Sequence, residues 1–248
     1  MKRFLITAAA MLCLSAPVAA LDITAMNDAE RQVFRQEIRA YLLENPEVLM
    51  EAIAVLEQRQ KEAQTFNDES LIAVNAEALF LDQNSYMGGN PEGDVTIVEF
   101  LDYRCGYCKR AHPEVTELIN SDGNIRYIIK EFPILGDQSV LASRFAISTL
   151  QNVGPEAYAK VHDALMTFRG DISQSSLKRL AKSLDLDAGL IMKAMDSDDV
   201  SAVISENRAL AQRMQITGTP SFVMGAQMVR GYVPLDGMKE IVASSRQK

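Results

Sequence analysis

The chain has 248 residues, of which 48% are hydrophobic and 23% charged. That balance is globular and excludes wholesale disorder and collagen-like or low-complexity architecture. A formal charge of −8 lacks the basic surplus that neutralises phosphates, which sets nucleic-acid binding aside.

The first predicted element is a secretory signal. Lys2 and Arg3 form a basic start, Phe4 to Ala16 is almost wholly apolar, and Ala16-Pro17-Val18-Ala19-Ala20 supplies the small residues for cleavage after Ala20. The alternative is a membrane anchor, but an apolar run of about 13 residues is shorter than the ~20 a spanning helix needs. Cys13 lacks the small residues of a lipobox before it and leaves with the signal. The mature chain is therefore expected to be secreted into an oxidising compartment. Two cysteines remain, Cys105 and Cys108, in Cys-Gly-Tyr-Cys. A bridge across two residues constrains little chain, so in an oxidising compartment this pair is expected to be chemical rather than structural.

Residues 27 to about 82 read as helices only. Asn27 can cap the first, with Glu30 at its third position. Asn45-Pro46 interrupts, because a residue before proline avoids the α region and Pro46 suits a new first turn. A second helix carries Val48, Leu49, Ile53 and Leu56, followed by the polar run Glu57 to Gln64, and a third is expected near Ser70 to Leu81. Positions 34, 38, 41, 45, 48, 52 and 55 have heptad-like spacing, with Asn45 interrupting the apolar series. Such a stripe needs a partner surface, either its own domain or another copy of the chain.

Turn formers cluster from Asn84 to Asp94, which predicts a loop and a region boundary. Val95 to Leu101 has strand content, a helix follows Cys105 to about Asn120, and Ile125 to Phe132 is a second strand. Strand, helix, strand implies a parallel pair with a right-handed crossover. Asp137 to Met214 is helical in four or five segments. Thr217-Gly218-Thr219-Pro220 then leads into a hairpin, Ser221 to Met224 and Gln227 to Arg230, and Leu235 to Ser245 closes as a helix.

The residues that carry chemistry lie far apart in sequence. Cys105 opens a helix, where unpaired N–H groups and the positive dipole stabilise a thiolate. Lys109 and Arg110 add positive charge one turn on. Cys105 is thus the expected nucleophile, with a depressed pKa, and Cys108 the inward-facing resolving thiol. Glu99, six residues before Cys105 on an apolar strand, would be desolvated and able to relay a proton to Cys108. An outward-facing Glu99 is the alternative, because alternation does not fix its face. Pro113 is expected to kink the helix. His112 is read as a surface residue, with a modulating role as the alternative.

Val98-Glu99-Phe100, Cys105-Gly106-Tyr107-Cys108 and Thr219-Pro220 before a strand together resemble the thioredoxin fold over roughly Asp94 to Ser245. The insertion of about 78 residues from Asp137 to Met214 resembles the DsbA family of periplasmic thiol–disulfide oxidoreductases. That resemblance implies that the compartment is the periplasm. It also implies an α/β fold of residues 86–248, with the helical insertion at about 137–214, preceded by an all-helical arm over 21–85. It implies that Pro220 is cis and stands against Cys105. Gly106, Tyr107, Thr219 and Pro220 would then meet the substrate, with Thr219 offering its backbone to a client strand.

Gly-Tyr between the cysteines and threonine before the proline resemble the disulfide isomerase DsbC more than the DsbA oxidases, which carry Pro-His and valine. The arm, including Tyr41-Leu42-Leu43-Glu44-Asn45-Pro46-Glu47-Val48, resembles the suppressor of copper sensitivity protein C group (ScsC), in which some members are trimers. The resemblance implies a disulfide isomerase or reductase that needs no cofactor. Its partners would be misoxidised secreted clients, an inner-membrane DsbD- or ScsB-like reductase, and further copies of itself through residues 21–85. A dithiol oxidase is the alternative. A further one is copper delivery through the Cys-x-x-Cys thiols, which suit soft Cu(I). His112 and His162 are the only histidines, so no closed four-ligand zinc site is expected.

Overall fold

A computed structural model describes residues 24–247; the predicted signal segment, with Cys13, lies outside them. The chain forms two compact units that divide between Arg59 and Gln60.

The first unit holds α1 (Asp28–Glu44) and the start of α2 (Glu47–Val74). Asn27 and Glu30 form a reciprocal capping box, each side chain accepting the other's backbone N–H, at 2.8 and 3.0 Å. Asn45 ends the helix, its side-chain amide donating to the Tyr41 carbonyl at 2.9 Å. Phe34, Ile38, Tyr41 and Val55 of the heptad-like stripe are exposed, and no residue of α1 is buried.

The expected gap between the second and third helices is absent: α2 is one helix of 28 residues. Its polar run consists of good helix formers without glycine or proline, so nothing interrupts the backbone ladder. The break falls instead at Asn75, whose side chain donates to the Leu71 carbonyl at 2.9 Å, and α3 (Ala76–Phe80) follows.

The second unit is built on a five-stranded sheet. Its strands are β1 (Tyr86–Gly89), β2 (Val95–Leu101), β3 (Ile125–Glu131), β4 (Ser221–Met224) and β5 (Gln227–Arg230), in the order β1-β3-β2-β4-β5. The expected parallel pair is β2 and β3, joined by α4 (Gly106–Asp122); all other pairings are antiparallel. The expected loop at 84–94 contains β1, which pairs Tyr86 with Ile129 and Gly89 with Arg126. Its glycines hide it from propensity, yet Gly89 is required. It sits at φ +68°, and a Cβ there would lie 2.3 Å from the Ile125 carbonyl oxygen.

The insertion comprises five helices: α5 (Asp137–Asn152), α6 (Pro155–Thr167), α7 (Gln174–Ser183), α8 (Ala188–Ala194) and α9 (Asp198–Arg213). α10 (Leu235–Ser245) closes the unit where expected. One face of the sheet buries Ile97, Leu101, Ile129 and Phe222 together with Val115, Phe145, Tyr158 and Met238 of α4, α5, α6 and α10. The other buries Val98, Phe100, Ile128 and Val223 with Ile72 of α2, Leu79 of α3 and Leu210 of α9. Each such side chain contributes roughly 1.5–3 kcal/mol of transfer free energy. The second layer also holds Lys130, only 1% exposed, whose Nζ donates to Asp82 at 2.5 Å. Among the described residues, no helix is long and apolar enough to cross a membrane.

Candidate active site

The site forms where β2 ends and α4 begins. β2 is buried on both faces because helices pack against both sides of the sheet, which is why alternation could not orient Glu99. Its side chain is 2% exposed, so the outward alternative does not hold. Tyr127 of β3 donates its hydroxyl to Glu99 Oε2, while Oε1 has no hydrogen-bond partner. Burial is the largest influence on this carboxyl and, with the nearby Cys105 charge, pushes its pKa up to about 7 against the Tyr127 bond.

The turn from β2 into α4 is fixed by Asp102. This buried carboxylate accepts the N–H groups of Arg104 at 2.7 Å, Ile134 at 2.8 Å and Leu135 at 3.0 Å. The Asp102 carbonyl accepts the Cys105 N–H at 3.0 Å. Cys105 is thereby set as the N-cap of α4, with extended backbone at φ −73° and ψ 117°.

Both cysteines are thiols here. Cys105 is 7% exposed and Cys108 fully buried one turn into α4. The pKa of Cys105 is lowered to about 5. The largest cause is the hydrogen bond from Cys108, and those from Thr219 and the N–H groups of Cys108 and Tyr107 add to it against the cost of burial. Cys108 moves the other way, pushed up by burial, by its bond to Cys105 and by the charge of Glu99. The two thiols are thus held far apart in acidity by the hydrogen bond between them, by the burial of Cys108 and, to a lesser degree, by the helix-end amides at Cys105 and the charge of Glu99.

Lys109 and Arg110 do not act as expected. The Lys109 ammonium donates to the Phe168 carbonyl at 2.5 Å, and the Arg110 guanidinium lies 4.4 Å above the Tyr232 ring. The leading influences on Cys105 are the neighbouring thiol and the helix-end amides, not these cations. Pro113 lies within α4. His112 is not a free surface residue: its side chain is 15% exposed and its Nε2 is 3.2 Å from Asp163 Oδ1.

The distant Thr219-Pro220 pair reaches the same place. Its peptide bond is cis, and the Cys105 thiol donates to the Thr219 carbonyl at 3.1 Å. Ser221 Oγ donates to the Gly218 carbonyl and the Gly231 N–H to the Pro220 carbonyl, pinning both sides of the turn. Tyr107 projects outward at 61% exposed, Gly106 is exposed, and a Cβ added to Gly106 would meet open space. Glu99, Cys105, Cys108, Thr219 and Pro220 therefore converge, with Gly106 and Tyr107 on the outer rim. Asp102 and Tyr127 were missed from sequence. Asp102, three residues before Cys105 at a strand end, carried a detectable turn signal; Tyr127 carried none.

The thioredoxin family profile matches residues 81–244, and the profile of the copper resistance protein ScsC N-terminal domain matches residues 30–63. The chain is 39% identical to a thioredoxin-like oxidoreductase from Silicibacter pomeroyi DSS-3, with a TM-score of 0.66 over 69% of this chain and 98% of that one. It is 28% identical to Proteus mirabilis ScsC in a transitional conformation, with a TM-score of 0.65 over 90% of this chain and 97% of that one. It is also 28% identical to the thiol-disulfide exchange protein alpha-DsbA2 from Wolbachia pipientis, with a TM-score of 0.69 over 73% and 97% of the two chains. The first curated relatives it matches are the Na(+)/H(+) antiporters NhaA 1 of Salinispora arenicola and NhaA 3 of Salinispora tropica, at 27% and 26% identity over 64% of this chain. The chain spans only 24% of the length of either. With the family profile covering the sheet, both cysteines and the cis-proline turn, this chain belongs to the thioredoxin family.

Proposed function

We propose that the protein is a periplasmic thiol–disulfide oxidoreductase that isomerises or reduces wrong disulfides in secreted clients through Cys105 and Cys108. The observation that carries this reading is a pair of thiols one helical turn apart, one capping α4 beside the cis Thr219-Pro220 turn and the other buried behind it, their acidities pushed in opposite directions. With its pKa lowered to about 5, Cys105 is largely a thiolate at neutral pH, stabilised by the Cys108 thiol and the amides at the start of α4. Cys108 is a protonated thiol behind it.

The Cys105 thiolate attacks one sulfur of a client disulfide, forming a mixed disulfide and releasing the other client sulfur as a thiolate. In isomerisation, a different client thiolate attacks the mixed disulfide, a new client bond forms, and Cys105 leaves as a thiolate. In reduction, Cys108 gives its proton to the Glu99 carboxylate and attacks Cys105. The client sulfur leaves as a thiolate, the client gains two electrons, and a Cys105–Cys108 disulfide results. Glu99 is suited to this step because one of its oxygens is unpartnered and its pKa of about 7 matches neutral solution. Exposed Gly106 and Tyr107, with half-buried Thr219 and buried Pro220 behind them, make the surface that a client strand would meet. An inner-membrane reductase of the DsbD or ScsB kind would return the disulfide to the dithiol. Self-association through the arm expected over 21–85, in whose first part α1 leaves Phe34, Ile38 and Tyr41 exposed, would group several sites around one client.

The second reading is a dithiol oxidase, since a stabilised Cys105 thiolate also favours handing a disulfide to a client. Scrambled-disulfide refolding and dithiol-peptide oxidation, run side by side, separate the two. The isomerase reading predicts the faster turnover in refolding, loss of both activities in Cys105→Ser, and trapped mixed disulfides in Cys108→Ser. Full activity in Cys105→Ser contradicts thiol exchange at this site altogether.

A further inference from the structure

One turn beyond Cys108 on α4, His112 meets two adjacent residues of α6. Its Nε2 lies 3.2 Å from Asp163 Oδ1, and its ring is edge-on to that of His162 with centroids 4.9 Å apart. One ligand atom from each of the three side chains falls within 4.8 Å of the others. They line an open cavity of about 170 Å³. The Asp163 side chain is 68% exposed, so solvent reaches the group from that side, while His162 is buried.

The unused nitrogen of His162 is set by what lies behind it. The hydroxyls of Tyr103, Tyr158 and Ser143 all donate to the Glu131 carboxylate, at 2.7, 2.6 and 2.7 Å. The Tyr103 proton is therefore spent, yet Tyr103 Oη is 3.2 Å from His162 Nδ1. That contact requires the proton on Nδ1, which leaves the Nε2 lone pair free. A chain from carboxylate through tyrosine to imidazole is the outer-shell arrangement that fixes a metal-binding tautomer.

Two imidazoles and a carboxylate match the three-ligand open sites of zinc-class ions, whereas magnesium and calcium take oxygen sets. At a tetrahedral centre with bonds of ~2.0–2.1 Å, ligand atoms lie roughly 3.3 Å apart. His112 and Asp163 already have that spacing. The Asp163 side chain, 68% exposed, has room to turn its carboxylate toward the two imidazoles. We propose that His112, His162 and Asp163 form a binding site for a divalent transition-metal ion, tying α4 of the thioredoxin frame to α6 of the insertion. The site is independent of the thiol chemistry proposed above. An ion held only by the folded chain would stabilise it by mass action.

The test uses Zn2+ alone, titrated calorimetrically into the full chain without an affinity tag, with Cys105→Ser and Cys108→Ser so that no thiolate can hold the ion. The expected result is one saturable Zn2+ per chain and a rise in Tm. Against that background, Asp163→Asn and His112→Gln should each weaken binding by about tenfold or more, at least the low end for losing an outer-shell partner. Asp163 stands at the surface, so its variant tests the site without disturbing the core. No saturable binding at millimolar Zn2+, or parent-like binding in either variant, overturns the proposal.

Discussion

At the scale of single residues, the proposed chemistry depends on three groups whose proton affinities the fold has separated. The cysteine pair and the lowered pKa of Cys105 were legible in sequence, because a cysteine that opens a helix meets unpaired amides whatever surrounds it. The cause was only partly legible. Lys109 and Arg110 looked like the activating charges, but their side chains are taken up by Phe168 and Tyr232. The burial of Glu99 was an open choice because a strand enclosed on both faces shows no alternation. Its raised pKa makes a stability prediction. Between the unfolded value near 4.5 and the folded value of about 7, the native state holds a proton that the unfolded chain has lost. Stability attached to Glu99 is therefore complete below that window and falls as pH rises through it, by about 3 kcal/mol in all. Denaturant unfolding of the disulfide form, in which neither cysteine titrates, should show the parent losing more stability than Glu99→Gln from about pH 5 to about pH 8. Identical pH slopes in the two proteins would remove the desolvated carboxyl from the account. In the dithiol form, Glu99→Gln should also slow resolution by Cys108 and flatten its pH profile near neutrality, as measured by release of client from the mixed disulfide.

At the scale of elements, the junction of β2 with α4 is the piece that places the thiol. Asp102 holds it by joining the turn to the backbone of Ile134 and Leu135 beyond β3. Sequence gives no sign of this link, since its partners lie about thirty positions downstream and are backbone groups. Asp102→Ala leaves those N–H groups and that of Arg104 without an acceptor. The expected loss is roughly 2–4 kcal/mol, because water at the exposed Ile134 and Leu135 offsets part of it. A shift in the denaturant midpoint worth less than about 1 kcal/mol would show that the turn holds itself. The elements themselves were mostly readable. Strands β2 to β5, α4 and α10 fall where patterning and turn residues put them, and the insertion resolves into five helices. β1 was not readable, because its four residues include two glycines and no β-branched side chain, and its pairing is decided by β3. The uninterrupted α2 was missed for the opposite reason: a polar stretch looked like a stop although nothing in it disfavours helix.

For the molecule as a whole, the division of the chain decides what a truncation removes. Turn formers at 84–94 suggested a boundary there, yet the compact unit begins at Gln60. Asp68 reaches Arg230 of β5 through two bonds of 2.8 Å, Ile72 and Leu79 fill the second core layer, and Asp82 neutralises Lys130. Residues 60–248 should therefore fold and exchange thiols as a monomer, whereas 86–248 should be destabilised. Removing the partner of buried Lys130 alone costs about 3–5 kcal/mol. Thermal unfolding compares the two truncations, and light scattering of the full chain should give a mass above that of one copy. A monomeric full chain would end the proposed role of the helical arm. The proposed activity depends, before any of this, on one ionised sulfur at the start of α4. Its most direct measurement is the alkylation rate of Cys105 in the dithiol form as a function of pH. The predicted profile rises with a midpoint near 5, and a midpoint near 9, the value of an ordinary thiol, contradicts the account.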